Sequence, residues 1–354
     1  MAWGLAAACL FPAVSNACTG ITLKSADGAT VLARTIEWGG SDLNSRYVVV
    51  PRGHEQQAYV TGGKKEGLKF KARYGYVGVA VEMEDFVAEG LNEAGLSVGL
   101  FYFPQYGGYE TYDPAKKDSS ISDLQLVSWM LASFKTVDEA KAGLRGVHVV
   151  SSDSRASTAH WRMADASGRQ LVLEIVNGRM NFYENELGVL TNSPGFEWQM
   201  TNLNNYVNLY PGGAERKALG GAMLAAFGAG SGFLGLPGDV TPPSRFVRAA
   251  FYQASSPVQA TARRTVAQAF QILNNFDIPV GIEFADGKVP ADIPSATQWT
   301  SATDIRNRVF YYRTMYNSAI RSIDLKSIDF GRVAYRSAPV DEVKEQPFVP
   351  LVVE

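Results

Sequence analysis

Short alternating runs of apolar and polar residues, each closed by a turn, fill most of the chain, while helical spacing is confined to separate blocks. Residues 19–24 and 29–36 flank the turn Ser25-Ala26-Asp27-Gly28 and read as a β-hairpin. Strands also read at 47–50, 76–83 and 96–103, the last entered through Asn92-Glu93-Ala94-Gly95. Residues 160–165, 170–176 and 179–183 form a meander turned by Ser167-Gly168 and Asn177-Gly178, and late strands are expected at 297–302, 308–315 and 320–325. Residues 122–134 place Leu124, Leu126, Val127, Met130 and Leu131 at helical spacing, and Thr136-Val137-Asp138-Glu139 is a capping box. A second helical pair reads at 244–255 and 258–273. Strand blocks kept apart from helix blocks predict an α+β fold of antiparallel sheets with helices outside, rather than parallel βαβ units.

Composition closes off several classes. With 33 Lys+Arg against 35 Asp+Glu and 46% hydrophobic residues, the chain lacks both the charge excess of a disordered segment and the basic footprint of a nucleic-acid binder. The Gly-rich stretch 228–238 lacks the Lys-Ser/Thr of a phosphate loop and reads as a plain loop. The two cysteines, Cys9 and Cys18, are too few for a disulfide framework or a zinc finger. No metal cluster is visible.

Residues 1–17 carry no charge, and their apolar run is shorter than the ~20 residues that span a bilayer. Ending in Ser15-Asn16-Ala17, the stretch reads as a secretory leader, although no Lys or Arg precedes it. The expectation is a leader at 1–17, a single domain over 18–354, and a periplasmic or secreted location. Cleavage after Ala17 discards Cys9 and makes Cys18 the first residue.

That placement has a chemical use. The three histidines, His54, His148 and His160, lie in no neighbourhood resembling a catalytic signature; His160 reads as a strand residue and His54 as one beside a turn. A cysteine at a chain start brings its own base, because an α-amine titrates at ~7.7–8.0 and a thiol at ~8.5. The amine can take the thiol proton and later hand it to a leaving amine. While the bond at Ala17 is intact, that nitrogen is an amide and no base exists. Two other uses of Cys18 stand beside this one. It could anchor a lipid on a surface binding protein, or serve as a redox thiol, which would lack a resolving partner in the mature chain.

Cys18-Thr19-Gly20, with Ala33-Arg34-Thr35-Ile36-Glu37-Trp38 on the returning strand, resembles the opening of the choloylglycine hydrolase family. These are N-terminal nucleophile amidases that include bile salt hydrolases and penicillin V acylases. Gly90-Leu91-Asn92-Glu93-Ala94-Gly95-Leu96, Gly188-Val189-Leu190-Thr191-Asn192-Ser193-Pro194, Gly235-Leu236-Pro237-Gly238-Asp239 and Ser244-Arg245-Phe246 match further segments in the family's order. The resemblance implies a four-layer αββα sandwich of two antiparallel sheets, and a cofactor-free hydrolysis of linear amides through a thioester. It makes Cys18 the nucleophile and Arg34 the stabiliser of its thiolate. Glu37, where the family commonly has Asp, would hold the α-amine with one methylene more of reach. Asn192 would donate to the oxyanion, and Arg245 would stand near the nucleophile. Tyr102 stands where many bile salt hydrolases carry Asn and penicillin V acylases carry Tyr; its N–H would serve the oxyanion and its ring the substrate pocket. Implied substrates are penicillin V, conjugated bile salts and acyl homoserine lactones, each with an apolar acyl half, and no stable membrane anchor is expected. The segment 204–239, which in related enzymes reaches a neighbouring subunit, implies a homotetramer or homodimer.

Overall fold

The computed structural model describes residues 17–38, 42–152, 157–285 and 296–353. The chain opens with β1 (Ala17–Lys24) and β2 (Thr30–Trp38), paired antiparallel around the expected turn. β3 (Arg46–Val50), β4 (Tyr76–Ala80), β5 (Val87–Asn92) and β6 (Ser97–Tyr102) follow. Helices α1 (Leu126–Ser133) and α2 (Val137–Leu144) lead to the meander β7 (Ala159–Ala164), β8 (Gln170–Val176) and β9 (Arg179–Glu184). After α3 (Phe196–Asn202) come α4 (Pro242–Ser255) and α5 (Ala262–Leu273). The last strands are β10 (Ala296–Asp304), β11 (Val309–Thr314), β12 (Asn317–Asp324) and β13 (Arg336–Pro339).

These strands build two antiparallel sheets, β1-β2-β10-β11-β12 and β9-β8-β7-β6-β5-β4-β3-β13. Helices α4 and α5 lie on the first sheet and α1 on the second, which gives the layers helix, sheet, sheet, helix of the αββα sandwich. Both faces of the central strands are therefore covered, and β2 and β10 are buried nearly end to end instead of alternating. For β10, Ala-Thr-Gln-Trp-Thr-Ser-Ala-Thr-Asp, that means burying hydroxyls and amides that must find partners inside.

Several boundaries move for local reasons. The helix expected at 258–273 starts at Ala262, because the Thr261 side chain accepts the Arg264 N–H as a cap. The one expected at 244–255 starts two residues early, at Pro242, where a proline loses no hydrogen bond. The run 122–134 opens with one 3-10 turn, Asp123–Gln125, capped by the Ser122 hydroxyl, before α1 begins. The strand expected at 76–83 ends at Ala80, because Glu82 takes a positive φ of 61° in the following turn. The Asn177-Gly178 turn has φ of 51° and 72°, the left-handed pair that a tight hairpin requires. Strands β5 and β13 and helix α3 lie outside the segments expected from the sequence. The leader expected at 1–17 lies outside the described residues except for Ala17, which opens β1.

Candidate active site

The register of the opening hairpin sets the site. Cys18 faces Ile36, Gly20 faces Arg34 and Ala17 faces Glu37. Side chains two apart share a face of a strand, so Cys18 and Arg34 both project between the sheets. There Arg34 Nη2 donates to Cys18 Sγ at 2.8 Å. The rest of that guanidinium is fully engaged: Nη1 donates to the Leu100 carbonyl at 2.5 Å and Nε to the Thr35 carbonyl at 3.1 Å. Its carbon sits 4.1 Å over the Phe101 ring. Gly20 makes this packing possible, because a Cβ there would stand 2.8 Å from Arg162 Nη1 and 2.9 Å from Phe101 Cζ.

A second approach comes from the segment before α3. Gly20 and Leu190 exchange backbone hydrogen bonds of 2.7 and 3.1 Å, which brings Asn192 to the end of β1. Asn192 Oδ1 accepts the Cys18 N–H at 2.8 Å and Arg245 Nη2 at 2.7 Å, and Nδ2 donates to the Tyr102 carbonyl at 2.8 Å. Two donors at one atom and an acceptor at the other fix which end of the amide is oxygen. Arg245 reaches down from α4, and its Nη1 donates to the Cys18 carbonyl at 2.5 Å and to Thr19 Oγ1 at 2.7 Å. Tyr102 closes β6, and its backbone N–H pulls the Cys18 thiol down. Its half-buried ring meets that of Trp38 edge-on, centroids 5.6 Å apart.

The structure thus brings Cys18, Arg34, Tyr102, Asn192 and Arg245 into one hydrogen-bonded cluster. Glu37 stands apart in one respect. With Ala17 still attached, the partner of the Cys18 nitrogen is Asn192, while Glu37 Oε1 accepts from Thr297 Oγ1 at 2.9 Å and Oε2 is buried without a hydrogen bond. Burial pushes the Glu37 carboxyl up to about 7, against the pull of Arg245 and the Thr297 hydroxyl. Burial also pushes the Cys18 thiol above its ordinary value; Arg34 opposes this most, Glu37 adds to it, and the Tyr102 N–H and Arg245 oppose it further.

Sequence reasoning missed the shell behind these groups. Glu89 lies 3.5 Å from Arg34 Nη1 and 3.7 Å from Arg162 Nη2, all three side chains fully buried between the sheets. Burial raises the Glu89 carboxyl, against the opposing pull of Arg162 and Arg34, and pushes Arg162 down to about 10. His160, read as an ordinary strand residue, is in a strand but has no exposed surface and contacts the Asn192 segment. One signal was available: charged or titratable residues inside otherwise apolar strands, as in Val-Ala-Glu-Gly-Leu and Ala-His-Trp-Arg-Met, are buried only when paired. Among the described residues no group of three or more His, Cys, Asp or Glu could hold a metal ion, and no helix is long and apolar enough to cross a membrane.

Comparison with known proteins gives the family. Residues 18–336 match the sequence profile of the linear amide C–N hydrolases of the choloylglycine hydrolase family. The chain is 32% identical over 314 residues to a bile salt hydrolase/transferase of Clostridium perfringens, covering 87% of this chain and 92% of that protein. It is 25% identical over 367 residues to a penicillin V acylase of Pectobacterium atrosepticum, covering 96% and 89%. A solved variant of the conjugated bile acid hydrolase from C. perfringens superposes with a TM-score of 0.80 at 28% identity, over 95% of this chain and all of that one. The chain therefore belongs to the choloylglycine hydrolase family and is a linear amide C–N hydrolase.

Proposed function

We propose that Cys18, freed by cleavage after Ala17, is both nucleophile and base in the hydrolysis of linear amides. One observation carries this reading: the site grips two atoms of the same residue, with Arg34 on Sγ and Asn192 on the backbone nitrogen. A thiol acting alone would need only its sulfur addressed. In the cleaved chain the α-amine accepts the thiol proton, and the thiolate, paired with Arg34, attacks the amide carbonyl. The Tyr102 N–H and the second N–H of Asn192 Nδ2 receive the oxyanion. Collapse expels the amine, which takes the proton back from the α-ammonium. Water, deprotonated by the same amine, then releases the acid from the thioester. The partnerless Oε2 of Glu37, beside Ala17 in the ladder, is suited to receive the α-ammonium that cleavage creates.

For substrate, the Trp38–Tyr102 pair favours a flat or apolar acyl group, so penicillin V leads, with conjugated bile salts and acyl homoserine lactones as the other candidates. A lipid anchor on Cys18 fits poorly, because the residue is 3% exposed and its sulfur is held by Arg34. An assembly of two or four copies is supported by the hairpin Lys217–Leu219 and Ala222–Leu224, which leaves Leu219, Met223 and Leu224 exposed, with Phe227 beyond it. The uncharged stretch 1–17 supports export to the periplasm or medium.

The test pairs activity with mass spectrometry. Turnover of penicillin V or glycocholate is expected from a chain beginning at Cys18 and none from Cys18→Ser. An active protein that still carries Ala17, or full activity in Cys18→Ser, refutes the mechanism.

A further inference from the structure

Behind Asn192 lies a second set of buried polar groups that the proposed chemistry leaves unused. His160, on β7, stacks on Phe103 with ring centroids 4.4 Å apart and planes at 6°. Its Nε2 is 3.0 Å from the Thr191 carbonyl oxygen and its Nδ1 is 3.1 Å from Glu174 Oε1 on β8. A carbonyl can only accept, so Nε2 carries a proton, and one further proton lies between Nδ1 and the carboxyl group. The same Glu174 oxygen accepts the Phe196 N–H at 2.7 Å.

Glu174 thus grips the segment 191–196 at both ends, directly at Phe196 and through His160 at Thr191. Asn192 lies between the two grips. Its neighbours are tied down as well, since the Thr191 hydroxyl donates to the Pro242 carbonyl at 3.1 Å and the Ser193 hydroxyl to the Pro104 carbonyl at 2.5 Å. Arg245, Cys18 and Tyr102 aim the Asn192 amide, but they act on its side-chain tip and on the backbone nitrogen of Cys18. Only contacts to the flanking peptide units set where its Cα stands.

We propose that His160 and Glu174 are positioning residues that hold Asn192 where its amide meets the oxyanion. The proposal rests on the reading of Cys18 as nucleophile and Asn192 as oxyanion donor. A donor displaced by about 1 Å can cost on the order of 10²-fold in rate. The brace has its effect on the transition state, because the oxyanion develops there and is absent from the bound substrate.

The experiment is steady-state kinetics of the full chain with penicillin V and glycocholate, using whichever the wild type hydrolyses. His160→Phe keeps the ring shape and the stack on Phe103 but removes both ring nitrogens and their hydrogen bonds. It is expected to lower kcat by about 10²-fold with little change in KM, while iodoacetamide alkylates Cys18 at the wild-type rate. His160→Gln, which returns an N–H near the Nε2 position, is expected to recover most of kcat. If His160→Phe shows no cooperative melting, Glu174→Gln decides, with a lowered kcat at unchanged KM expected. A folded His160→Phe with wild-type kcat overturns the proposal. So does His160→Gln no better than His160→Phe, or Glu174→Gln with wild-type kcat. Failure of the underlying reading shows elsewhere, as full turnover by Cys18→Ser or none by the wild type, and overturns both.

Discussion

Removing the Arg34 charge tests the electrostatics of the site without requiring turnover. Arg34→Met keeps an unbranched apolar side chain and deletes the guanidinium, which donates to Cys18 Sγ at 2.8 Å and lies over the Phe101 and Trp299 rings. With that contact, the centre of positive charge lies about 4 Å from the sulfur, and an effective dielectric of about 20 gives roughly 4 kcal/mol of attraction to a thiolate. Each pKa unit is about 1.4 kcal/mol, so the thiol should rise by about 2–3 units. Two other effects act in the same direction. Burial already holds the thiol high, and Glu89, 3.5 Å from Arg34 Nη1, is left with Arg162 as its only cationic partner in the cluster and repels a thiolate more strongly. The assay is the pH dependence of Cys18 alkylation by iodoacetamide, read as the midpoint rather than the absolute rate, because the sulfur is nearly buried. At neutral pH the variant should react on the order of 10²-fold more slowly. Adding Glu89→Gln to Arg34→Met should bring the midpoint partly back. A midpoint unchanged in a variant that still melts cooperatively would refute the assignment of Arg34 as the thiolate's counter-charge.

Three further outcomes follow from the same geometry. In a chain retaining Ala17, the Glu37 carboxyl holds its proton up to about 7 when folded but releases it near 4.5 when unfolded. Stability is therefore lost as pH rises through that window, by about 3 kcal/mol, and Glu37→Gln should be spared the loss in urea titrations at pH 4.5 and 8. Gly20→Ala should cost about 1–3 kcal/mol by overpacking, seen as a lower Tm, and should cut activity because the displaced groups are Phe101 and Arg162. Tyr102→Asn changes the ring and leaves the backbone N–H in place, so hydrolysis should survive while the ratio of kcat/KM for penicillin V over glycocholate falls. An unchanged ratio would remove the Tyr102 ring from the specificity argument.

Much of the site could be read from the chain because hairpin chemistry is local. A turn at 25–28 sets the pairing of β1 with β2, and that pairing places Arg34 on the face of Cys18. Asn192 and Arg245 were legible only through family resemblance, since locally one is a residue before Ser-Pro and the other sits in the first turn of a helix. Glu89, His160, Arg162 and Glu174 stand out in the sequence only as ionisable residues within apolar strands, which marks them as buried and paired but not with what. Glu89 and Arg162 meet from strands far apart in the chain, His160 and Glu174 from neighbouring ones, and a single sequence does not reveal which buried charge meets which. Strand β13 escaped for a related reason: its four residues, Arg-Ser-Ala-Pro, carry no periodic signal and are ordered by pairing with β3.

The position of Ala17 has a consequence for timing. Ala17 and Cys18 are each 3% exposed, and the bond between them runs inside the ladder with β2 and under Arg245. A peptidase takes its target as an extended, accessible stretch, which this bond ceases to be once the hairpin has closed. On the proposed reading, cleavage by an outside enzyme therefore comes before β1 docks. After docking, only the groups of the site itself remain within reach of the bond, and a chain that misses the early window carries its own stopper.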